Sequence, residues 1–575
     1  MNEAGIIDLV PQSLRNQWKA DGSYPNISVY QAFVDKAQRF PDKIAIYSPD
    51  RNVSFGELLD KSQRLANSFS QLGVVTGDTV AYQLNNGWRC CAIDLACAAI
   101  GAVVAPFPPG RGRLDLESLL KRSCARVVII EPEHKQVDFC QVIESIRPFS
   151  IGLRHLVVNG TARYGWLALE SLFNSEPIEA HNLPTVNPDS PVRMLVSSGT
   201  ESEPKLVAYS HNAMLGGRGR FLQRIYPGDD QDFRGMYLVP LGSSFGSTAT
   251  IGILSWLGGS LVLQPAFDVD AAIEAIEQHR PTHILGVPTM MQRLMNSPRL
   301  AQIDKSSLVA LVSGGALIDK ATIERCMENF GCAFISLYGS ADGVNCHNTM
   351  SDGLDVIASS VGKPNPAICE IQIVDDQRIP VADGVVGEIR ARGPISPMQY
   401  VNDAALNENY RDRGGWAYTG DLGCIDARGY LVLAGRKKDI IIRGGSNISP
   451  AQIENQATAH PDIISAACVP IADADLGCRV CICVTLRDGA KRMSLKALAS
   501  FLQQRGLEVN KLPEYLVYYR QLPLSPAGKL DKKQLASEVS WLAENITDIS
   551  SADTSDDKAT AAQPGAISPT TAGAL

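Results

Sequence analysis

Between residues 50 and 400 the chain alternates short β-rich runs with stretches of helical spacing, and this alternation limits its fold more than any other feature. VSFGELLDKSQRLANSFSQLG carries apolar residues at helical intervals and stops at Gly73. VVTGDTVAYQLNN, ARVVIIEP and HLVVNG then read as short buried strands. A second cycle runs through SLVLQP, a helix around Ala271 to His279, THILGVPT and SLVALVSGG. Strands separated by helical crossovers pair in parallel. The expected class is therefore α/β, with a large domain of parallel-rich sheets flanked by helices. Hydrophobic residues make up 45% of the chain, which supplies a core of that size. No period of 20 to 50 residues repeats, which excludes a solenoid.

The texture changes near Gly435, where GRKKDIIIRGG forms a basic turn running into a strand and a glycine pair. A short helix near Pro450 to Ala459, the strands ISAACVPI and CRVCICVTL, and a helix near Ser494 to Arg505 follow. The reading is a large domain over residues 1–434, a small α+β domain over 435–540, and a disordered tail over 541–575 that is rich in Ser, Thr, Ala, Asp and Gly.

Acidic residues outnumber basic ones, 61 to 53, for a net charge of −8. A general nucleic-acid binder needs the opposite balance. The longest apolar run, Leu95 to Phe107, is too short to span a membrane and reads as a buried helix leading into a strand. MNEAGIIDLVPQSLRNQW lacks the basic, apolar and small-residue zones of a secretory leader, so the expected compartment is the cytoplasm. The 14 cysteines are scattered. Cys478 and Cys481 form a single C-x-x-C inside an alternating strand pattern, which reads as structure rather than as a zinc site.

Six short stretches carry the candidate chemistry. VSSGTESEPKLV follows a strand and is crowded with small and hydroxyl residues. Ser197, Ser198, Gly199 and Thr200 can cradle phosphate oxygens, and Lys205 adds a point charge. A solvated surface turn explains it equally well. SGGAL places Gly314, Gly315 and Ala316 at a strand end, where a flat ligand can approach the backbone. LYGSADG offers Tyr338 for stacking on a base, Gly339, and Asp342 for Mg²⁺. WAYTGD offers Asp421, whose carboxylate can accept both hydroxyls of a ribose. GRKKDIIIRGGSNISPAQIE contains Arg436, Asp439, Gly444 and Gly445, and LSPAGKL contains Lys529 on a glycine-bearing loop. Each stretch alone reads as a turn or a solvated charge.

In this fixed order the six stretches resemble the adenylate-forming superfamily of acyl- and aryl-CoA synthetases, peptide-synthetase adenylation domains and luciferases. The resemblance covers roughly Ser28 to Leu535. It is nearest to the stand-alone aryl-acid AMP ligases of the 2,3-dihydroxybenzoate type, through LRNQWKADGSYPNISVYQAF, PKLVAYSH and KLPEYLVYYRQLPLSPAGKLDKKQL. It implies an ATP-dependent acid–thiol ligase with a small C-terminal domain that rotates over the active site. A carboxylate would attack ATP to give acyl-AMP and pyrophosphate. CoA or a carrier-protein phosphopantetheine would then take the acyl group. Mg²⁺ is the implied cofactor, and a homodimer is compatible with the resemblance.

By the same resemblance, residues 197–205 would hold the β,γ-phosphates, and Gly314, Gly315 and Ala316 would line the adenine and acyl pocket. Tyr338 would pack on adenine, Asp421 and Arg436 would hold the ribose, and Asp342 would stand in the metal position. Asp439 would be the hinge. Lys529 would bridge carboxylate and phosphate during adenylation, and the Gly444–Gly445 loop would replace it for thiolation. Ser243, Ser244 and Phe245 would border the acid.

The pattern departs from the family at three places. Glu201 puts negative charge in the phosphate loop, Asp342 replaces the usual Glu, and Ser243 stands where many members carry His. Ser244 stands where 2,3-dihydroxybenzoate enzymes carry Asn, which argues for a different acid. A transfer-only ligase that uses preformed acyl-AMP, and a non-catalytic adenylate-binding protein, are the alternative expectations.

Overall fold

The computed structural model describes residues 5–134, 136–197, 204–226, 228–315, 318–443, 446–473, 476–505, 507–524 and 530–540. The chain divides into two compact units, one running to Lys437 and the other covering Lys438–Pro523 and resuming at Leu530. The residues read above as a tail, 541–575, lie outside the described ones.

Two eight-stranded sheets and a four-stranded sheet build the larger unit. In the first, Ala333–Gly339, Ala310–Gly314, His283–Gly286, Arg234–Tyr237, Ser260–Leu263 and Ile44–Tyr47 lie side by side, all parallel. Short antiparallel strands, Asn345–His347 and Val53–Ser54, close its edges. In the second, parallel strands centred on Thr79–Gln83 continue through Val103–Pro106 to Pro191–Ser197. Pro191–Ser197 turns back as Lys205–Ser210, which pairs with Gln399–Tyr400. The third sheet is antiparallel and runs Glu370–Val374, Gly387–Arg392, Ala417–Ile425, Leu431–Arg436.

Local sequence accounts for these elements. Ser54 caps the helix Phe55–Gln71 by accepting the Glu57 N–H, and Asp268 caps Val269–His279 through the Ala271 N–H. The helix Trp88–Ile100 is buried on nearly every side, as its all-round apolar sequence requires, and it ends at left-handed Gly101. Its one acidic residue, Asp94, is buried and meets Arg193 at 2.6 Å.

In the smaller unit Gly477–Leu486 pairs with Ile463–Asp473, Ile441–Arg443 and, in parallel, Tyr515–Tyr519. Val480, Ile482 and Val484 join one buried cluster, and Cys481 and Cys483 join another. Cys478 packs with the first cluster. Three residues apart in a strand, Cys478 and Cys481 face opposite sides and cannot share a metal. Among the described residues no cluster of three or more His, Cys, Asp or Glu could hold a metal ion, and no helix is long and apolar enough to cross a membrane.

Candidate active site

Parallel strands of the first sheet release their chains at one edge. The turn Pro240–Ser247, Gly315 after Ala310–Gly314 and the turn after Ala333–Gly339 all follow carboxyl ends of parallel strands of this sheet. Ligands of open α/β sheets bind at such an edge. Gly314 packs so closely that a Cβ there would lie 3.0 Å from the Leu337 carbonyl oxygen, and Gly315 is exposed at φ +90°. Gly339, also exposed, ends its strand opposite Asn345.

The third sheet brings Asp421 directly opposite Arg436 across an antiparallel pair. Arg436 Nε donates to Asp421 Oδ1 at 3.0 Å, and the Tyr338 hydroxyl donates to Asp421 Oδ2 at 2.6 Å. Tyr338 and Asp421 are 9% and 8% exposed, so the bond between them is shielded, while Arg436 approaches from the exposed side. Burial, reinforced by the Asp421 charge, holds the Tyr338 phenol well above its ordinary range and keeps it a donor. A carboxylate has about four acceptor positions, so two remain at Asp421 for a diol.

Asp342 sits in a tyrosine setting that the sequence reading missed. The Tyr400 hydroxyl donates to its carboxylate, and the Tyr410 hydroxyl to its backbone carbonyl. Tyr209 donates to the neighbouring Ala341 carbonyl at 2.8 Å. Burial, with the Asp421 charge, raises the Asp342 carboxyl above its usual range, while the Tyr400 bond and Arg436 oppose that rise. Tyr400 also lies beneath Lys205, whose Nζ is 5.9 Å from the ring centroid. Lys205 pairs with Ser197, the last pair of their hairpin before its connecting segment.

Asp342 suits Mg²⁺, which binds through one or two carboxylates and keeps its other positions for water and phosphate oxygens. Its second carboxylate oxygen leaves acceptor capacity beside the Tyr400 bond.

Ser243 shapes the turn that carries Ser244 and Phe245. Its hydroxyl donates to the Pro240 carbonyl at 2.7 Å and accepts the Gly246 N–H at 3.0 Å. Phe245 packs edge-on to Tyr237 at 6.4 Å. Arg218, also missed from the sequence, donates to the Ser244 carbonyl at 2.8 Å. Asp439 ends the short 3-10 turn Lys437–Asp439. Ser198, Gly199, Thr200, Glu201, Ala316, Gly444, Gly445 and Lys529 lie outside the described residues. No periodic signal marks Tyr209, Arg218, Tyr400 or Tyr410, because each acts on a residue distant in the chain.

Three known proteins align along most of the chain. The vibriobactin-specific 2,3-dihydroxybenzoate-AMP ligase of Vibrio cholerae is 27% identical over 91% of this chain and 96% of its own length. The medium-chain fatty-acid–CoA ligase of Escherichia coli K12 is 30% identical over 91% and 93%. The anthranilate CoA ligase AuaEII, solved with anthranoyl-AMP, superposes with a TM-score of 0.81 over 90% of this chain and 98% of its own at 22% identity, a likeness of fold. Residues 33–401 match the AMP-binding enzyme family. With that match over more than half its length, the chain belongs to the AMP-binding enzyme family, within the adenylate-forming superfamily that its ordered motifs resemble.

Proposed function

We propose that the protein is an ATP-dependent carboxylic acid–thiol ligase. The observation that carries this reading is the meeting of Tyr338, Asp421 and Arg436, drawn from three separate motifs, next to the turn that bears Asp342. Asp421 accepts the two ribose hydroxyls at its remaining positions, Arg436 holds its charge, and Tyr338 packs on adenine with Gly314, Gly315, Gly339 and Ala316. Ser197 to Thr200 and Lys205 hold the β,γ-phosphates. Asp342 holds Mg²⁺, which when bound neutralises phosphate charge.

In the first step an acid carboxylate oxygen bonds to the α-phosphorus and the bond to the pyrophosphate oxygen breaks. Lys529 bridges the carboxylate and phosphate charge. Catalysis here is positioning and charge neutralisation. In the second step the thiol of CoA or of a phosphopantetheine loses its proton and bonds to the acyl carbon, and AMP leaves. Asp439 is the hinge between the two steps, and the Gly444–Gly445 loop serves the second.

The relatives named above act on an aryl acid and on fatty acids. Both classes are candidates here, and Ser243, Ser244 and Phe245 border the acid. The test is exchange of labelled pyrophosphate into ATP, with Mg²⁺, across aryl, alicyclic and fatty acids. Exchange with one class supports the proposal and names the acid. Silence joined to consumption of supplied acyl-AMP by CoA replaces it with the transfer-only reading. Silence in both arms overturns it.

A further inference from the structure

Arg218 is 7% exposed, yet no carboxylate among the described residues pairs with it, whereas buried Arg193 has Asp94. It rides on a π-helical stretch, Ala213–Gly219, that packs directly on backbone. A Cβ on Gly216 would lie 2.0 Å from the Ser23 carbonyl oxygen, and one on Gly217 would lie 2.3 Å from the Ile395 Cα. The two glycines therefore allow the close approach that carries Arg218 into the interior.

The two terminal nitrogens of the guanidinium donate to two turns, while its buried Nε has no hydrogen-bond partner among the described residues. Nη2 donates to the Ser244 carbonyl at 2.8 Å and to the Ser244 hydroxyl at 3.3 Å. Nη1 donates to the Tyr209 hydroxyl at 3.2 Å and, at 3.4 Å, to the Ser340 carbonyl. The group also lies 5.1 Å from the Tyr209 ring centroid, and Tyr209 passes its own hydrogen to the Ala341 carbonyl. One planar fork thus ties the Ser244 turn to the turn Ser340–Asp342. A lysine ammonium, a single point of charge, cannot span both in that geometry. Burying such a charge without a counter-ion is unfavourable unless directed hydrogen bonds offset it.

We propose that Arg218 is a positioning residue that couples the acid site to the metal and nucleotide site by setting the spacing of these two turns. The inference rests on the ligase reading, with the acid beside Ser244 and Mg²⁺ at Asp342. Occupancy of one side then favours occupancy of the other, because both bias the same buried network.

The test uses full-length Arg218→Lys and Arg218→Met. Three quantities are measured: Mg²⁺·ATP binding by calorimetry without acid, KM and kcat for the acid in pyrophosphate exchange, and the melting temperature. Hydrogen bonds to a charged group are worth enough that their loss weakens binding by about tenfold to a hundredfold. We expect Arg218→Lys to fold but melt below the parent, because its charge stays buried with fewer hydrogen bonds, to weaken Mg²⁺·ATP by about tenfold and to raise KM for the acid by a similar factor. A fall in kcat with both affinities unchanged means a merely structural role and overturns the inference, as does a variant identical to the parent. If Arg218→Met does not fold, Arg218→Lys decides alone. A parent protein that fails to bind Mg²⁺·ATP sinks the ligase reading itself, a result distinct from an unchanged variant.

Discussion

Asp94 and Arg193 form the most deeply buried ion pair described in the chain, with side chains 2% and 1% exposed and an N···O distance of 2.6 Å. Tyr82 donates to the other Asp94 oxygen at 3.2 Å, and Arg193 donates onward to the Leu241 carbonyl at 2.9 Å, at the root of the turn that carries Ser244. At that separation and an effective dielectric of about 20, the attraction is about 6 kcal/mol. Desolvation of the two ions offsets most of it. Asp94→Asn removes the attraction but leaves the arginine buried, so it should cost about 3–5 kcal/mol. The double replacement Asp94→Leu with Arg193→Met removes both charges and should recover stability to within about 1 kcal/mol of the parent, a strongly non-additive result. Urea unfolding of the full chain, followed through the larger unit's transition, measures each variant. An Asp94→Asn loss below about 1 kcal/mol, or a double variant no more stable than the single one, would refute the reasoning.

Other perturbations probe the same framework. His211 is fully buried, its Nδ1 accepts the Val29 N–H at 3.1 Å, and burial lowers its pKa from 6.5 to about 3. Between those values the unfolded chain binds the extra proton. Stability is therefore full above pH 6.5 and falls by up to about 1.4 kcal/mol per unit as pH drops towards 3. His211→Asn should show a shallower acid decline in urea midpoints, and parallel curves would contradict the assignment. Tyr400→Phe removes the hydroxyl on Asp342 and should raise the Mg²⁺ concentration for half-maximal exchange by about tenfold, the effect of one charged hydrogen bond; an unchanged Mg²⁺ curve would count against it. Lys529→Ala should abolish pyrophosphate exchange while sparing thiolation of supplied acyl-AMP, and equal loss of both would remove the bridging role.

Much of the scaffold was readable because its signals act over a few residues. The helix at Val269–His279 has its cap at Asp268, and the strands Ile463–Asp473 and Gly477–Leu486 follow the apolar alternation of their sequences. Motif order carried the family, and it named Tyr338, Asp421 and Arg436, which the structure brings together in one hydrogen-bonded group. The tyrosines and the arginine around them could not. Tyr209 and Tyr400 look like ordinary strand residues, and Arg218 looks like a charge in a glycine-rich run.

What the chain determined by itself was the set of elements, the parallel class and the sequence of motifs, since propensity, capping and periodicity are local terms. What only the tertiary structure decided was which side chains share a buried hydrogen bond. Tyr338 and Asp421 are 83 residues apart, Tyr400 and Asp342 58, and Arg193 and Asp94 99. Such pairs form because packing excludes water around them, and each polar group then has to find its partner among whatever the fold brings within reach.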